Sequence, residues 1–516
     1  MRGRVITGIA LLVAWLGGLG LLVRREYFRP HIERLAEAAL RVTPGAVFYA
    51  VMQGDKQVGF ASSTLDTSTA LIEQRDYLVA DIPVGGSLHR ATARTNVTLS
   101  RMLRLRKFDV TVEADQGPVK VAGEVIGDSL LLLSVMSGEN APADTQRLKL
   151  SGAILLPTLI PLAIALEEKP RVGKSYVLPV FDPTALASKD VTLEVRAESL
   201  FVVNDSSVFD STSGRWRGVL PDTVRAWQIV SQSGGGMGGW VDEQGRLVAS
   251  SQLGFRLQRM PYEVAFENWR MDSDSMSGPA AKRTIAANRD VLEISAIAAN
   301  KRLRSSFSEL RLRLGGVSLK GFDLDGGRQK LRRDTLIVHR EIAEALAARY
   351  FPVPERMRLR PELKPEPFME VDNREIVALA SRIADGSQDP RVVAQRINNW
   401  VHDSLKKEVT IGIPSALHVL HTRVGDCNEH AQLFVALARA SGIPARVASG
   451  LAYVDGKFYY HAWAEIVLRT WVAVDPTFGQ FPADASHIRF VTGGFARQAE
   501  LLRLVGGLTI DVIGSQ

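Results

Sequence analysis

The chain has 516 residues, of which 46% are hydrophobic and 23% charged, with a formal net charge of +7 and one cysteine. Length and apolar content exclude a disordered chain and predict two to four domains with real cores. A single thiol excludes an internal disulfide framework. Aromatic residues make up only 7% and the basic surplus is spread widely, which excludes a nucleic-acid surface built on clustered charge and stacking rings.

Residues 1–28 read as a membrane anchor. An uncharged run at 5–23 stands between Arg2/Arg4 and Arg24/Arg25, long enough to cross a bilayer as a helix. No small-x-small cleavage site follows it, so the expectation is an uncleaved, single-pass signal-anchor with an extracytoplasmic body, in a bacterial-envelope or periplasmic setting. No cysteine follows the run, so lipoprotein processing is excluded. Residues 29–44 read as a helical stalk. The basic surplus suits anionic lipid headgroups better than nucleic acid.

From 45 to 270 the text is β: alternating segments such as Val47-Phe-Tyr-Ala-Val51 and Phe108-Asp-Val-Thr-Val112 are punctuated by Gly, Asp and Asn at hairpin intervals. This predicts a large, curved antiparallel sheet. The apolar run 152–166, broken by Pro157 and Pro161, predicts a buried helix or corner packed on its concave face. Residues 271–284 read as a linker, 285–350 as a small β-rich module, and 351–370, with five prolines, as a stiff extended connector. Residues 371–495 form the last predicted domain and 496–516 a tail. The expected fold class is α+β: a transmembrane helix, a large antiparallel β-domain, a small β-rich module and a C-terminal α+β domain.

The lone cysteine lies in that last domain, in Gly425-Asp-Cys-Asn-Glu-His-Ala431. Asp426 is a good N-cap and Glu429 stands three residues on, the pattern of a capping box. Leu433, Phe434, Leu437 and Ala438 follow at helical spacing, and Gly442 and Pro444 supply the stop. Cys427 then occupies the first helical turn, where free N–H groups and the positive dipole end favour thiolate and could hold an oxyanion. Two strands flank the hairpin signal Asp455-Gly456, and a third runs from Trp471 to Asp475. On the second strand His461, Trp463 and Glu465 share one face. The turn at Arg469-Thr470 makes the second and third strands neighbours, so His461 and Asp475 can lie side by side.

A lone cysteine is ordinarily a small buried hydrophobe, but here a thiol, an imidazole and a carboxylate occur in that order, 34 and 14 residues apart. The stretch Gly-Asp-Cys-Asn-Glu-His-Ala, with Ala438-Arg-Ala-Ser-Gly-Ile-Pro-Ala-Arg446, His461-Ala-Trp463 and Trp471-(x)3-Asp475-Pro476, resembles the transglutaminase-like superfamily over roughly 375–495. That group includes transglutaminases, peptide N-glycanases and bacterial thiol proteins. Papain-type proteases share the order but place the histidine far later. The resemblance implies Cys427 as nucleophile, His461 as general base and acid, and Asp475 as the carboxylate that orients it.

Trp400, His430 and Trp463 are further candidates as oxyanion donors or cleft residues; Trp400 also suits a core position on its amphipathic helix. His421, six residues before Cys427, falls at the papain glutamine offset by coincidence. A metal site from Cys427, His430, His418 and His421 lacks a paired-cysteine pattern, so no metal and no cofactor is expected. The expected partner is a peptide or protein substrate. The expected reaction is attack on an amide or peptide carbonyl to form a thioester, resolved by water rather than by an amine. Protein-glutamine transamidation, N-glycanase-like cleavage, and a non-enzymatic envelope protein with an inert copy of the domain are the alternatives.

Overall fold

The computed structural model describes residues 42–516, apart from 128, 139–142, 168, 184–185, 232–237, 253, 277–289, 304–306 and 348–352. The region from 45 to 260 is one antiparallel sheet of fourteen strands. Its first half runs as a meander from Gly45–Gln53 (β1) to Asp144–Lys149 (β8), each strand pairing with its predecessor. The second half runs likewise from Ser175–Asp182 (β9) to Phe255–Met260 (β14). Pairing of β1 with β14, from Phe48 opposite Met260 to Gln53 opposite Phe255, joins the halves and leaves β8 and β9 at the edges.

Between the halves the proline-broken run turns at Pro157–Leu159 and continues as a helix, Ile160–Glu167 (α1). Both prolines fall in first turns, where a missing N–H costs nothing. Leu159 and Leu162 pack with Phe108, Leu131, Leu133 and Phe181, while Ile164 packs with Trp227, Val195 and Tyr176. Each fully buried side chain of this size contributes about 1.5–3 kcal/mol. Gly123 is needed beneath Phe108, because a Cβ there would sit 2.3 Å from the ring.

After the sheet, Asn268–Met276 is a helix (α2), so part of the stretch expected as a linker is helical. Val291–Ser295 (α3) follows, capped by the Asp290 carboxylate on the Leu292 N–H, and Ile297–Ala298 (β15) comes next. Strands Glu309–Gly315 (β16), Gln329–Arg332 (β17) and Thr335–His339 (β18) form a second sheet. Along β16, Leu310, Leu312 and Leu314 are buried while Arg311 and Arg313 face solvent. The prolines at 354 and 361 lie in helical turns at Val353–Leu359 and Arg360–Leu363, where an extended connector was expected. The cause is again that proline fits the first turn of a helix.

Helices Arg374–Ala384 (α4), Pro390–Ser404 (α5) and Ala416–Thr422 (α6) then surround Cys427–Ala440 (α7). From His430 to Ala438 every residue of α7 is buried, which makes it the central helix of this region. Lys406–Lys407 (β19) pairs in parallel with Val424–Gly425 (β20), fixing the chain just ahead of Cys427. Ala445–Val454 (β21), Lys457–Val467 (β22), Trp471–Val474 (β23) and Ile488–Thr492 (β24) form a third sheet, ordered β15-β22-β21-β24 with β23 on β22. The chain ends in Thr509–Ser515 (β25), which pairs with β16. Residues set apart above as a module and as a tail therefore share one sheet.

The expected fold class needs correction. The molecule is strand-dominated, with its fourteen-stranded antiparallel sheet the largest element, rather than a balanced α+β chain. Among the described residues no helix is long and apolar enough to cross a membrane. The anchor expected at 5–23 and most of the stalk lie outside the described residues, and nothing in the fold supports a transmembrane helix.

Candidate active site

Asp426 caps α7 through a complete capping box: its carboxylate accepts from the first-turn backbone, including Asn428 N–H at 2.9 Å, and Glu429 Oε2 accepts the Asp426 N–H at 2.9 Å. Gly425 makes room for this, since a Cβ there would lie 2.3 Å from the Glu429 side chain. The box occupies the N–H groups of Asn428 and Glu429 and makes no use of that of Cys427. Cys427 is half-buried. Burial, followed by the charge of Asp426, pushes its thiol well above the ordinary range, and a hydrogen bond from the Ala462 backbone only partly offsets this. The cap that builds the turn also places carboxylates beside the sulfur, and these oppose the thiolate that the helix dipole favours.

His461 stands on β22 and Asp475 immediately after β23, and the β22–β23 register of Ala464 opposite Val474 brings them together. His461 Nε2 lies 2.7 Å from Asp475 Oδ2. The nitrogen left over is Nδ1, free to act as a base. The imidazole is stacked on Phe478, centroids 4.7 Å apart and planes 8° from parallel, with Trp463 stacked at 6.2 Å. These contacts restrict the ring to small movements in its own plane.

A second histidine completes the group. His487 Nε2 lies 2.8 Å from the same Asp475 oxygen, and its Nδ1 lies 3.3 Å from Asp484 Oδ1. Asp475 Oδ1 accepts the N–H groups of Thr477 and Phe478 at 2.7 and 3.0 Å. Burial alone would raise the Asp475 carboxyl, but the two histidines outweigh it and hold it well below the carboxylate range. For His487, burial pulls downward and hydrogen bonds to Asp475 and Asp484 win, so its pKa is raised. The unit is a fixed anion supplied with four hydrogen bonds, which is what a buried charge needs. His487 and Asp484 were not picked out from sequence. The visible signal was Asp484-Ala-Ser-His487, an acid three residues before a histidine at the mouth of an apolar strand.

Cys427 and His461 open into one cleft of about 550 Å³. One wall comes from α3 (Val291, Leu292, Ile294), another from residues 498–506, including Leu501, Leu502 and Val505, and Gly254 of the large sheet touches the rim. The lining is mostly apolar. Two hydroxyls in it, Ser449 Oγ and Tyr460 Oη, are buried without a partner, and burial lifts the Tyr460 phenol.

The other candidates fall elsewhere. Trp400 packs against the helical core beneath the Arg423 guanidinium, 4.4 Å from its ring centre, and is not part of the cleft. Trp463 is fully buried behind His461. His430 is fully buried, with Nδ1 2.6 Å from the Asp426 carbonyl oxygen and Nε2 unpartnered. His421 pairs with Glu375 at the surface. His461, Asp475 and His487 offer ligand atoms within 4.8 Å of one another. Both imidazole nitrogens stand at hydrogen-bond distance from one oxygen, closer than ligands around a shared tetrahedral ion, so protons rather than a metal fit this group.

Comparison with known proteins is consistent with this local organisation. Residues 377–476 match the family model described as the transglutaminase-like superfamily. Among solved structures, a putative cysteine protease from Cytophaga hutchinsonii is 16% identical over 39% of this chain and 83% of its own, with a TM-score of 0.27. The periplasmic domain of TgpA from Pseudomonas aeruginosa, solved with ethylmercury, is 21% identical over 36% of this chain and 84% of its own, with a TM-score of 0.24. Functionally curated proteins give no match.

Proposed function

We propose that the chain is a cysteine hydrolase of amide bonds, a reading supported by the match of residues 377–476 to the transglutaminase-like superfamily model. Cys427 is its nucleophile, His461 its base and acid, and Asp475 its orienting carboxylate. One observation carries the reading: a sulfur at a helix start and an imidazole tied to a buried carboxylate at 2.7 Å open into the same cleft.

Burial raises the Cys427 thiol, so its proton has to be removed as it attacks. His461 Nδ1 takes the thiol proton as the sulfur attacks the substrate carbonyl, and imidazolium forms beside Asp475, whose charge stabilises it. The Cys427 N–H faces the developing oxyanion. Imidazolium then protonates the departing amine, leaving a thioester on Cys427. Water, deprotonated by the same imidazole, cleaves the thioester to a carboxylate and restores the thiol. Water is favoured over an amine because the cleft opens to solvent between its two walls. Val291, Leu292, Leu501 and Leu502 favour a peptide with an apolar residue beside the scissile bond.

A peptidyl electrophile with an apolar side chain tests this. Adduct formation on Cys427, located by mass spectrometry, is expected to slow ~100-fold or more in His461→Ala. Equal rates in both proteins would remove His461 from the mechanism.

A further inference from the structure

The large sheet holds a cavity of its own, about 370 Å³, between one of its faces and the turn that opens α1. At roughly the 30 Å³ that a water-sized group fills in a liquid, it has room for about a dozen heavy atoms. Val47, Tyr49, Ala61, Leu78, Leu162 and Leu257 give it apolar walls. These walls follow the period-two register of adjacent strands, which also points Ser63, Gln74 and Asp76 inward, with Ser63 directly opposite Asp76.

Asp76 is the unexpected member. Its neighbours all donate to it: Ser63 Oγ at 2.5 Å from Oδ1, and Gln74 Nε2 at 3.1 and 3.0 Å from the two oxygens. Gln74 Nε2 also reaches the Thr158 carbonyl at 3.3 Å. The Thr158 hydroxyl is buried against the same carboxyl. The groups acting on Asp76 are neutral, and burial raises its carboxyl. The nearby cations are engaged elsewhere: Arg259 is paired with Asp242 at 3.0 Å, and Arg246 at the rim reaches the Thr43 carbonyl at 3.3 Å. A half-buried carboxylate whose every contact is a neutral donor lacks one thing, a positive charge.

We propose that this cavity binds a primary alkylammonium, with the ammonium on Asp76 and the Thr158 hydroxyl, and the hydrocarbon along Tyr49, Leu78, Leu162 and Leu257. The chemistry is shared by a free long-chain amine and an aminoethyl lipid headgroup. The site is independent of Cys427 and would stand if the thiol chemistry failed.

Calorimetric titration of the full-length protein with dodecylammonium, dodecanol, dodecanoate and ethylammonium tests it. Dodecylammonium is expected to bind at least tenfold more tightly than the alcohol or the carboxylate, and ethylammonium more weakly than any of them. Asp76→Asn should bring the ammonium down to the affinity of the alcohol. Ala93→Trp, which fills the cavity from a half-buried position on its wall, should weaken both at least tenfold while the labelling rate of Cys427 stays unchanged. Equal affinity for ammonium and alcohol in the unaltered protein overturns the proposal, as does an Asp76→Asn protein that keeps the preference. The ligand ranking decides the matter even if Asp76→Asn fails to fold. Competition by monomeric short-chain phosphatidylethanolamine identifies the lipid source; binding of dodecylammonium without such competition identifies the free amine.

Discussion

The two large regions treat a buried carboxylate in opposite ways. Around Asp475, two histidines and two backbone N–H groups supply a full set of donors, two of them able to carry charge. Around Asp76, half-buried in the long sheet, only neutral donors are present. The first arrangement is closed and orients a neighbouring ring. The second is incomplete by one cation. Burial of charge is thus used once to fix a geometry and once to leave a demand, and the two carboxyls are displaced in opposite directions as a result.

The largest expected effect falls on the closed side. Cys427→Ala should abolish turnover of an amide substrate, and Asp475→Asn should lower kcat by about 10⁴ with the helical core still folded, as checked by steady-state kinetics beside circular dichroism. An Asp475→Asn protein with unchanged kcat would make the closed arrangement structural only. Next in size is His487→Gln, which removes a charge-assisted bond from Asp475 and should cost about 2 kcal/mol in denaturant unfolding near pH 6. The sign can be followed across pH. Asp475 and Asp484 are lowered, so their contribution is full above the unfolded carboxylate value of about 3.9 and fades as pH falls. His487 is raised, so its contribution is full below about 6.5 and is lost as pH rises through its folded pKa. His487→Gln should therefore flatten the alkaline limb of the stability profile, and an unchanged limb would show that its charge is idle.

On the open side the sign reverses. Asp76 is raised, so its ionisation opposes folding as pH rises through its folded pKa. Asp76→Asn should stabilise the ligand-free protein by about 1 kcal/mol at pH 8 and by less at pH 5, measured by thermal unfolding. Loss of stability at pH 8 would mean that the carboxylate already has its cation. The smallest effect is expected at Leu220, 70% exposed on a long hairpin: Leu220→Asp should change stability by less than about 0.5 kcal/mol.

What could be read from sequence was local. Asp426 and Glu429 announce the capping box because its parts are three residues apart. Asp455-Gly456 announces the hairpin of β21 and β22 because both residues take positive φ. What escaped was brought from far away. His487 reaches Asp475 only because β24 lies beside β21, and no periodicity in either strand declares that pairing. The union of β16 with β25, nearly two hundred residues apart, is equally silent. The thiol's surroundings escaped for another reason: the dipole of a helix start is visible in sequence, whereas the burial that acts against it is a property of the finished packing. The meeting of Ser63 and Asp76 across two strands is likewise a matter of register that the sequence does not declare.

The residues at 498–506 that wall the cleft come later in the chain than every member of the Cys427, His461 and Asp475 group. The opposite wall, α3, comes earlier than all of them. The trough is thus assembled from both flanks of the sequence, and neither flank alone encloses the sulfur.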